Sequence, residues 1–143
     1  MQLKEIMTDK VVSVSPDTPV EQVAQLMQKH NIGSVPVCDN TGIKGIITDR
    51  DIVVRGVANG TDPKAIKASD VMTSQVTTAN PTMDIREASK LMAHQQIRRL
   101  PVVENNMLVG MVALGDLAVN PNFDMEASEA LSDISAPSHP YKV

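Results

Sequence analysis

Gly45-Ile46-Ile47-Thr48-Asp49-Arg50-Asp51 decides the fold, because it returns 65 residues later as Gly110-Met111-Val112-Ala113-Leu114-Gly115-Asp116. The glycine and the final aspartate keep their places, and the apolar residues between them stay apolar. Outward from this stretch the match holds without a gap, residues 6–55 answering to 71–120. Met7-Thr8 pairs with Met72-Thr73, Pro16 with Pro81, Leu26-Met27 with Leu91-Met92, Ile32 with Ile97, and Pro36-Val37 with Pro101-Val102. Apolar, proline and glycine positions that stay in phase this long mean one supersecondary unit written twice, and both copies must fold alike. The pattern predicts a pseudo-twofold pair.

Each copy opens on a β-branched stretch, Val11 to Val14 or Val76 to Ala79, which reads as a strand. Thr18-Pro19-Val20-Glu21 then has an N-cap hydroxyl, Pro at the first helical position and Glu three residues after the cap, so a capped helix is expected there. Val20, Val23, Ala24 and Met27 fall on one face of it, and Ile85, Ala88 and Met92 repeat the stripe, widened by Leu26 and Leu91. The methionines read as core filler. Two strands follow, Ser34 to Cys38 and Ile43 to Thr48, with counterparts Leu100 to Val103 and Leu108 to Ala113. A second helix carrying Ile52, Val53 and Val57 starts after Thr48 and stops near Asn59-Gly60; its twin from Leu114 is cut by Asn120-Pro121. The fold class is therefore mixed α/β (α+β), as two β-α-β-β-α motifs. Motif one takes residues 1–60, a polar linker 61–70, motif two 71–120 and a tail 121–143, in which Asp124 to Ser135 is expected to form a helix with Met125, Leu131 and Ile134 inward.

A chain of 143 residues buries one ordinary core, shared here by two halves. A net charge of −4 supplies no basic field for duplex nucleic acid or membrane. The only aromatics, Phe123 and Tyr141, follow the second copy, so the repeats offer no stacking platform for single strands. No apolar run approaches the roughly 20 residues a bilayer demands, and Met1 to Glu5 lead straight into the first repeat, so a cytoplasmic protein is expected. Cys38 answers to Val103 and reads as a small buried hydrophobe. His30, His94 and His139 are scattered, which gives no metal-ligand set, and no nucleophile has a base-bearing motif beside it. The chain reads as a non-enzyme.

The stretch from Gly45 to Asp51 is also the one that points to a ligand. It runs from a buried strand into a helix start, where free N–H groups favour an anion, and it sets the Thr48 hydroxyl beside the Asp51 carboxylate. A carboxylate can accept both hydroxyls of a ribose diol. Thr48 to Asp51 equally fits a capping arrangement that needs no ligand, and both can hold at once. Arg98-Arg99, at the matching helix-to-strand junction, fits a solvated surface as well as a phosphate site.

The doubled set of Met-Thr, Pro36-Val37 and Pro101-Val102, Gly45…Thr48…Asp51 and Gly110…Asp116 resembles a tandem CBS (cystathionine β-synthase-type) module over about Leu3 to Asn120. Thr48 to Val53 and Gln96 to Val102 resemble most the small stand-alone bacterial CBS-pair proteins, the hypoxic-response type included. The resemblance implies a regulatory module that binds an adenosine derivative (AMP, ADP, ATP or S-adenosylmethionine) in the cleft between the copies. By that implication Asp51 holds the ribose, Thr48 assists, main chain at Ser13 and Val14 reads the adenine edge, and Val35, Pro36 and Ile46 line its faces. Arg98 and Arg99 reach the phosphate.

A second site keeps Asp116 but has Ala113 in place of the hydroxyl, with Gly33 and Ser34 facing it, so the two sites are expected to be unequal. The resemblance also implies a homodimer formed through helices, with the Val20–Met27 and Ile85–Met92 region as the source of its surface. An alternative class is an interaction homodimer with decayed ligand sites. Beyond an adenine nucleotide ligand no cofactor is implied, and the residues name neither a Mg²⁺ requirement nor a downstream protein.

Overall fold

The short apolar runs within Ser34-Val35-Pro36-Val37-Cys38-Asp39 and Gly42 to Thr48 produce two paired strands, and their counterparts produce two more a repeat later. In the computed structural model, which describes residues 1–118 and 124–136, β1 (Ser34–Asp39) pairs antiparallel with β2 (Gly42–Thr48), and β3 (Arg99–Glu104) with β4 (Met107–Ala113). The turns differ. Asp39 accepts bonds from both the amide and the hydroxyl of Thr41, whereas Asn105 and Asn106 take positive φ, as the tight hairpin turn requires. Helices α1 (Val20–His30) and α4 (Ile85–Gln95) precede the hairpins, each ended by a left-handed residue, Asn31 and Gln96. After β2 comes α2 (Asp49–Asp51), continued by a π turn (Ile52–Gly56) and a 3-10 turn (Val57–Asn59); the linker ends in α3 (Ala68–Val71). After β4 come α5 (Leu114–Ala118) and α6 (Asp124–Ile134).

The chain divides into two compact units, each built of the same parts. The first-repeat unit holds residues 10–76 and 105–108; the second-repeat unit holds 1–9, 77–104 and the described residues from Val109 onward. Each unit therefore takes in a leading segment that the repeat register assigns to the other copy. In the second-repeat unit the N–H of Leu3 donates to Met83 O (2.9 Å), that of Ile85 to Met1 O (3.0 Å), and Thr8 and Met111 exchange two bonds of 2.9 Å. In the first-repeat unit the same bonds recur 65 positions away in both partners: Ala68 to Thr18 (2.8 Å), Val20 to Ile66 (2.9 Å), and Thr73 with Ile46 (2.9 and 3.0 Å). Leu3 fills one core with Ile85, Met92, Leu100 and Leu117; Ala68 and Val71 fill the other with Val20, Val23, Val35 and Ile47. Burying a side chain of Leu or Ile size contributes about 1.5–3 kcal/mol.

Four expectations are corrected. Thr18 does not cap α1: its hydroxyl accepts from Ser15 N (3.1 Å), Pro19 is the N-cap, and the free N–H groups of Val20 and Glu21 bond to Ile66 and Pro63 carbonyls of the linker. The first strand of each copy shrinks to one parallel bridge, Val14 with Val37 and Ala79 with Val102. Ala24 is exposed rather than part of the buried face of α1. In α6, Met125 (69% exposed) and Leu131 (43%) point outward, and Ala127 and Ala130 are the buried residues. Ser89 Oγ bonds Glu126 O (3.1 Å) and Gln96 Nε2 bonds Asp133 O (3.1 Å), holding the backbone of α6 against α4, so only small side chains fit between them. The expected break at Asn120-Pro121 lies outside the described residues.

Candidate functional site at the strand-to-helix junctions

Thr48 ends β2 in extended conformation and caps α2. Its hydroxyl accepts from Asp51 N (3.1 Å), and Asp51 Oδ2 accepts from Thr48 N (3.0 Å), so both halves of a capping box are made. The other oxygen, Oδ1, stands 4.0 Å from Arg55 Nε, and the Asp51 side chain is only 14% exposed. A carboxylate has about four acceptor positions, and the cap uses one of them. Arg55 is itself held in place, since Nη1 donates to the carbonyls of Val71 (3.1 Å) and Met72 (3.0 Å).

Around this junction the first-repeat unit also places Val14, bonded through its N–H to Pro36 O (3.0 Å), with Ser13 exposed just before it. Val35 lies fully inside the core, Pro36 is buried and Ile46 half-buried. Ser34, the register partner of Thr48, has a buried Oγ with no hydrogen-bond partner among the described residues. Sequence reasoning did not single out Arg55, and it named Ser34 only as a residue facing the second site. Arg55 lies at i+4 from Asp51, the spacing of a helical ion pair, and that was its only signal.

The second-repeat unit rebuilds half of this arrangement. Asp116 Oδ2 accepts from Ala113 N (3.0 Å), but Ala113 has no hydroxyl to return the bond. Arg98 and Arg99 are exposed and belong to this same unit as Asp116, whereas Thr48 and Asp51 belong to the first-repeat unit. The two arginines open onto a cavity of about 510 Å³ bounded by the start of α5 and by Ala127 and Leu131 of α6.

Cys38 is half-buried; burial first and the neighbouring Asp39 second push its thiol above the ordinary value, which leaves little thiolate for nucleophilic work. Among the described residues no group of three or more His, Cys, Asp or Glu side chains is placed to hold a metal ion, and no helix is long and apolar enough to cross a membrane.

With this geometry established, comparison with known proteins gives a consistent result. The CBS domain model matches residues 3–56 and again 68–120. The CBS domain-containing protein YhcV of Bacillus subtilis (strain 168) is 47% identical over 133 residues, 93% of this chain and 94% of that protein. The crystal structure of Hypoxic Response Protein I with two coordinated zinc ions superposes with a TM-score of 0.76 at 34% identity, covering 82% of this chain and 97% of the other. The CBS domain pair of protein MJ0100, in complex with 5′-methylthioadenosine and S-adenosyl-L-methionine, gives 0.72 at 25% identity, covering 82% and 93%.

Proposed function

Since the chain belongs to the CBS-domain family, with two copies of the domain in tandem, we propose that this regulatory module senses an adenosine derivative and has no catalytic activity of its own. The junction at Thr48 and Asp51 is the binding centre. The observation that carries this is the state of Asp51: its carboxylate is fixed by the cap through Oδ2, while Oδ1, among the described residues, makes no hydrogen bond and stands in an ion pair 4.0 Å from Arg55 Nε. A fixed acceptor with spare lone pairs is what a ribose diol needs, and the cost of ordering it is already met by the fold. The orphan Ser34 hydroxyl supports the same reading, because a buried unpaired hydroxyl costs about 1–3 kcal/mol and a polar ligand or water at this junction relieves it. The related pair that holds methylthioadenosine and S-adenosylmethionine supports the ligand class. Asp116, without a hydroxyl at Ala113, makes the weaker counterpart. The protein works in the cytoplasm.

A second reading has its own observation. Val53, Val54 and Val57 are 56%, 49% and 64% exposed along the helical run after β2, an apolar strip suited to a homodimer. The two readings separate in one experiment. A panel of AMP, ADP, ATP and S-adenosylmethionine is expected to raise the melting temperature with at least one member, by the linkage of binding to folding. Asp51→Ala is expected to weaken that ligand by about 2 kcal/mol, roughly thirtyfold. A flat response across the panel leaves the interaction module as the better account, and unchanged affinity in Asp51→Ala removes that residue from the site.

A further inference from the structure

The run that follows Thr48 and Asp51 does not continue as an ordinary helix. From Ile52 to Gly56 it widens into a π turn, in which the N–H of Val57 reaches back to the Ile52 carbonyl. An extra residue in one helical turn re-aims the side chains it carries, and such turns concentrate at functional sites. Arg55 lies inside this one, and Asn59 Nδ2 ties its backbone from beyond by donating to Arg55 O (2.8 Å). The guanidinium then serves two partners at once. Its Nε stands 4.0 Å from Asp51 Oδ1, and its Nη1 donates to Val71 O (3.1 Å) and Met72 O (3.0 Å).

Both ends of this bridge matter. Asp51 is the acceptor of the candidate ligand site, and Val71 closes α3, where the last carbonyls have no intrahelical donor and a cationic side chain satisfies them. Past Val71 the chain packs directly on the strand that leads to the site: Thr73 exchanges two bonds with Ile46 (2.9 and 3.0 Å), and a Cβ on Gly45 would fall 2.6 Å from Met72 Sδ. The chain leaves the first-repeat unit at Val76, so this segment is also its exit from the unit. In the repeat register Arg55 answers to Asn120, so the sequence supplies such a guanidinium to the first junction and not to the second.

Resting on the reading of Asp51 as a ribose acceptor, we propose that Arg55 is a latch between that site and the end of the linker. A sugar diol that donates to Asp51 Oδ1 displaces Arg55 Nε from the same oxygen. A guanidinium released at one end is less ordered, and it holds the Val71 and Met72 carbonyls less firmly. Occupancy of the site is thereby passed to Met72 and Thr73. The coupling is reciprocal, so removing Arg55 removes a competitor and favours the diol. Asp51 keeps its aim without Arg55, because Oδ2 stays bonded to Thr48 N.

The test reads the carbonyl-carbon resonances of Val71 and Met72 in the full chain, first without any ligand. Asp51→Asn keeps an oxygen for the Thr48 cap but discards the charge that holds Arg55. It is expected to move both resonances part of the way toward their positions in Arg55→Met, and to move them no further when the two changes are combined. An arginine that merely caps α3 gives no such dependence on Asp51. Adenosine, which carries the diol and no phosphate, is expected to move the parent's resonances in the same direction as Asp51→Asn and to bind Arg55→Met about two- to fivefold more tightly, the range of an exposed ion pair. Resonances indifferent to Asp51→Asn, or shifts that add in the double variant, overturn the latch alone. A coupled pair of variants in a parent that binds no adenosine overturns the ligand reading and the latch with it. Adenosine binding that leaves Val71 and Met72 in place, or that weakens in Arg55→Met, overturns the latch and keeps the site.

Discussion

Gly45→Val is expected to destabilise the first-repeat unit by about 4 kcal/mol, enough to remove much of the roughly 5–15 kcal/mol that holds a typical domain folded. The backbone angle of Gly45 is not the reason, since it has no positive φ. Space is. A Cβ there falls 2.6 Å from Met72 Sδ and 2.7 Å from the Thr73 carbonyl oxygen. Met72 can swing away, but Thr73 is fixed by the two bonds it exchanges with Ile46 (2.9 and 3.0 Å). Relief therefore means breaking that bridge, at about 0.5–1.5 kcal/mol per bond, on top of the roughly 1–3 kcal/mol of overpacking. Gly110→Val is expected to cost less, because the backbone oxygen it approaches, that of Thr8, is 3.1 Å away and the tighter contact is with the flexible Met7 side chain. Denaturant melts of the two variants check the order, and hydrogen exchange on Gly45→Val should show residues 71–76 losing protection first. A Gly45→Val protein as stable as the parent means that the segment from Met72 does not pack on β2.

The two glycines show which parts of this structure the sequence makes legible. Their recurrence at a fixed spacing announces the repeat, and the repeat with its periodic faces gives the hairpins and the buried sides of α1 and α4. Local pattern fails where a partner distant in the chain outcompetes a near one. Thr18 has every local attribute of a cap, yet Ile66 and Pro63 offer their carbonyls to the same end of α1, and Thr18 turns to Ser15. Val11 to Val14 has β-branched composition, but only Val14 finds a strand to bridge. For α6, Ile134 packs against the core as expected, but Met125 and Leu131 suggest the wrong face, because α4 presents Ser89 for a backbone contact and the alanines Ala127 and Ala130 are what is buried.

The site divides in the same way. Thr48 and Asp51 are three residues apart in sequence, so their pairing is a local event that spacing reveals. Arg55 reaches Val71 and Met72, a contact set by packing that no spacing rule contains. The cavity at Arg98 and Arg99 needs α6 brought alongside α5, and nothing in the residues 121–143 read alone says where that helix will lie.

The leading segments give the other large effect, because they make the first nine residues part of a core. Leu3 is fully buried among Ile85, Met92, Leu100 and Leu117, and the backbone from Met1 to Thr8 is tied by Ile85 to Met1 (3.0 Å), Leu3 to Met83 (2.9 Å), Lys4 to Pro81 (3.0 Å) and the Thr8–Met111 pair. Leu3→Ala is expected to cost about 2–5 kcal/mol, the range for a large-to-small change in a packed core. Deleting residues 1–9 removes the same side chain and all of those bonds, and should unfold the second-repeat unit. The first-repeat unit keeps its own counterpart segment, Ile66 to Thr73, and has no need of the deleted residues. Hydrogen exchange on the truncated chain is therefore expected to show α4, β3 and most of β4 unprotected while α1, β1 and β2 stay protected. A synthetic peptide of residues 1–9, added in excess, should restore part of the lost protection through the Thr8–Met111 bridge and the Leu3 pocket. Equal loss in both units, or none in either, shows that the cores are not divided along these segments; selective loss means that what looks like a leader in the sequence is a structural element of the distant repeat.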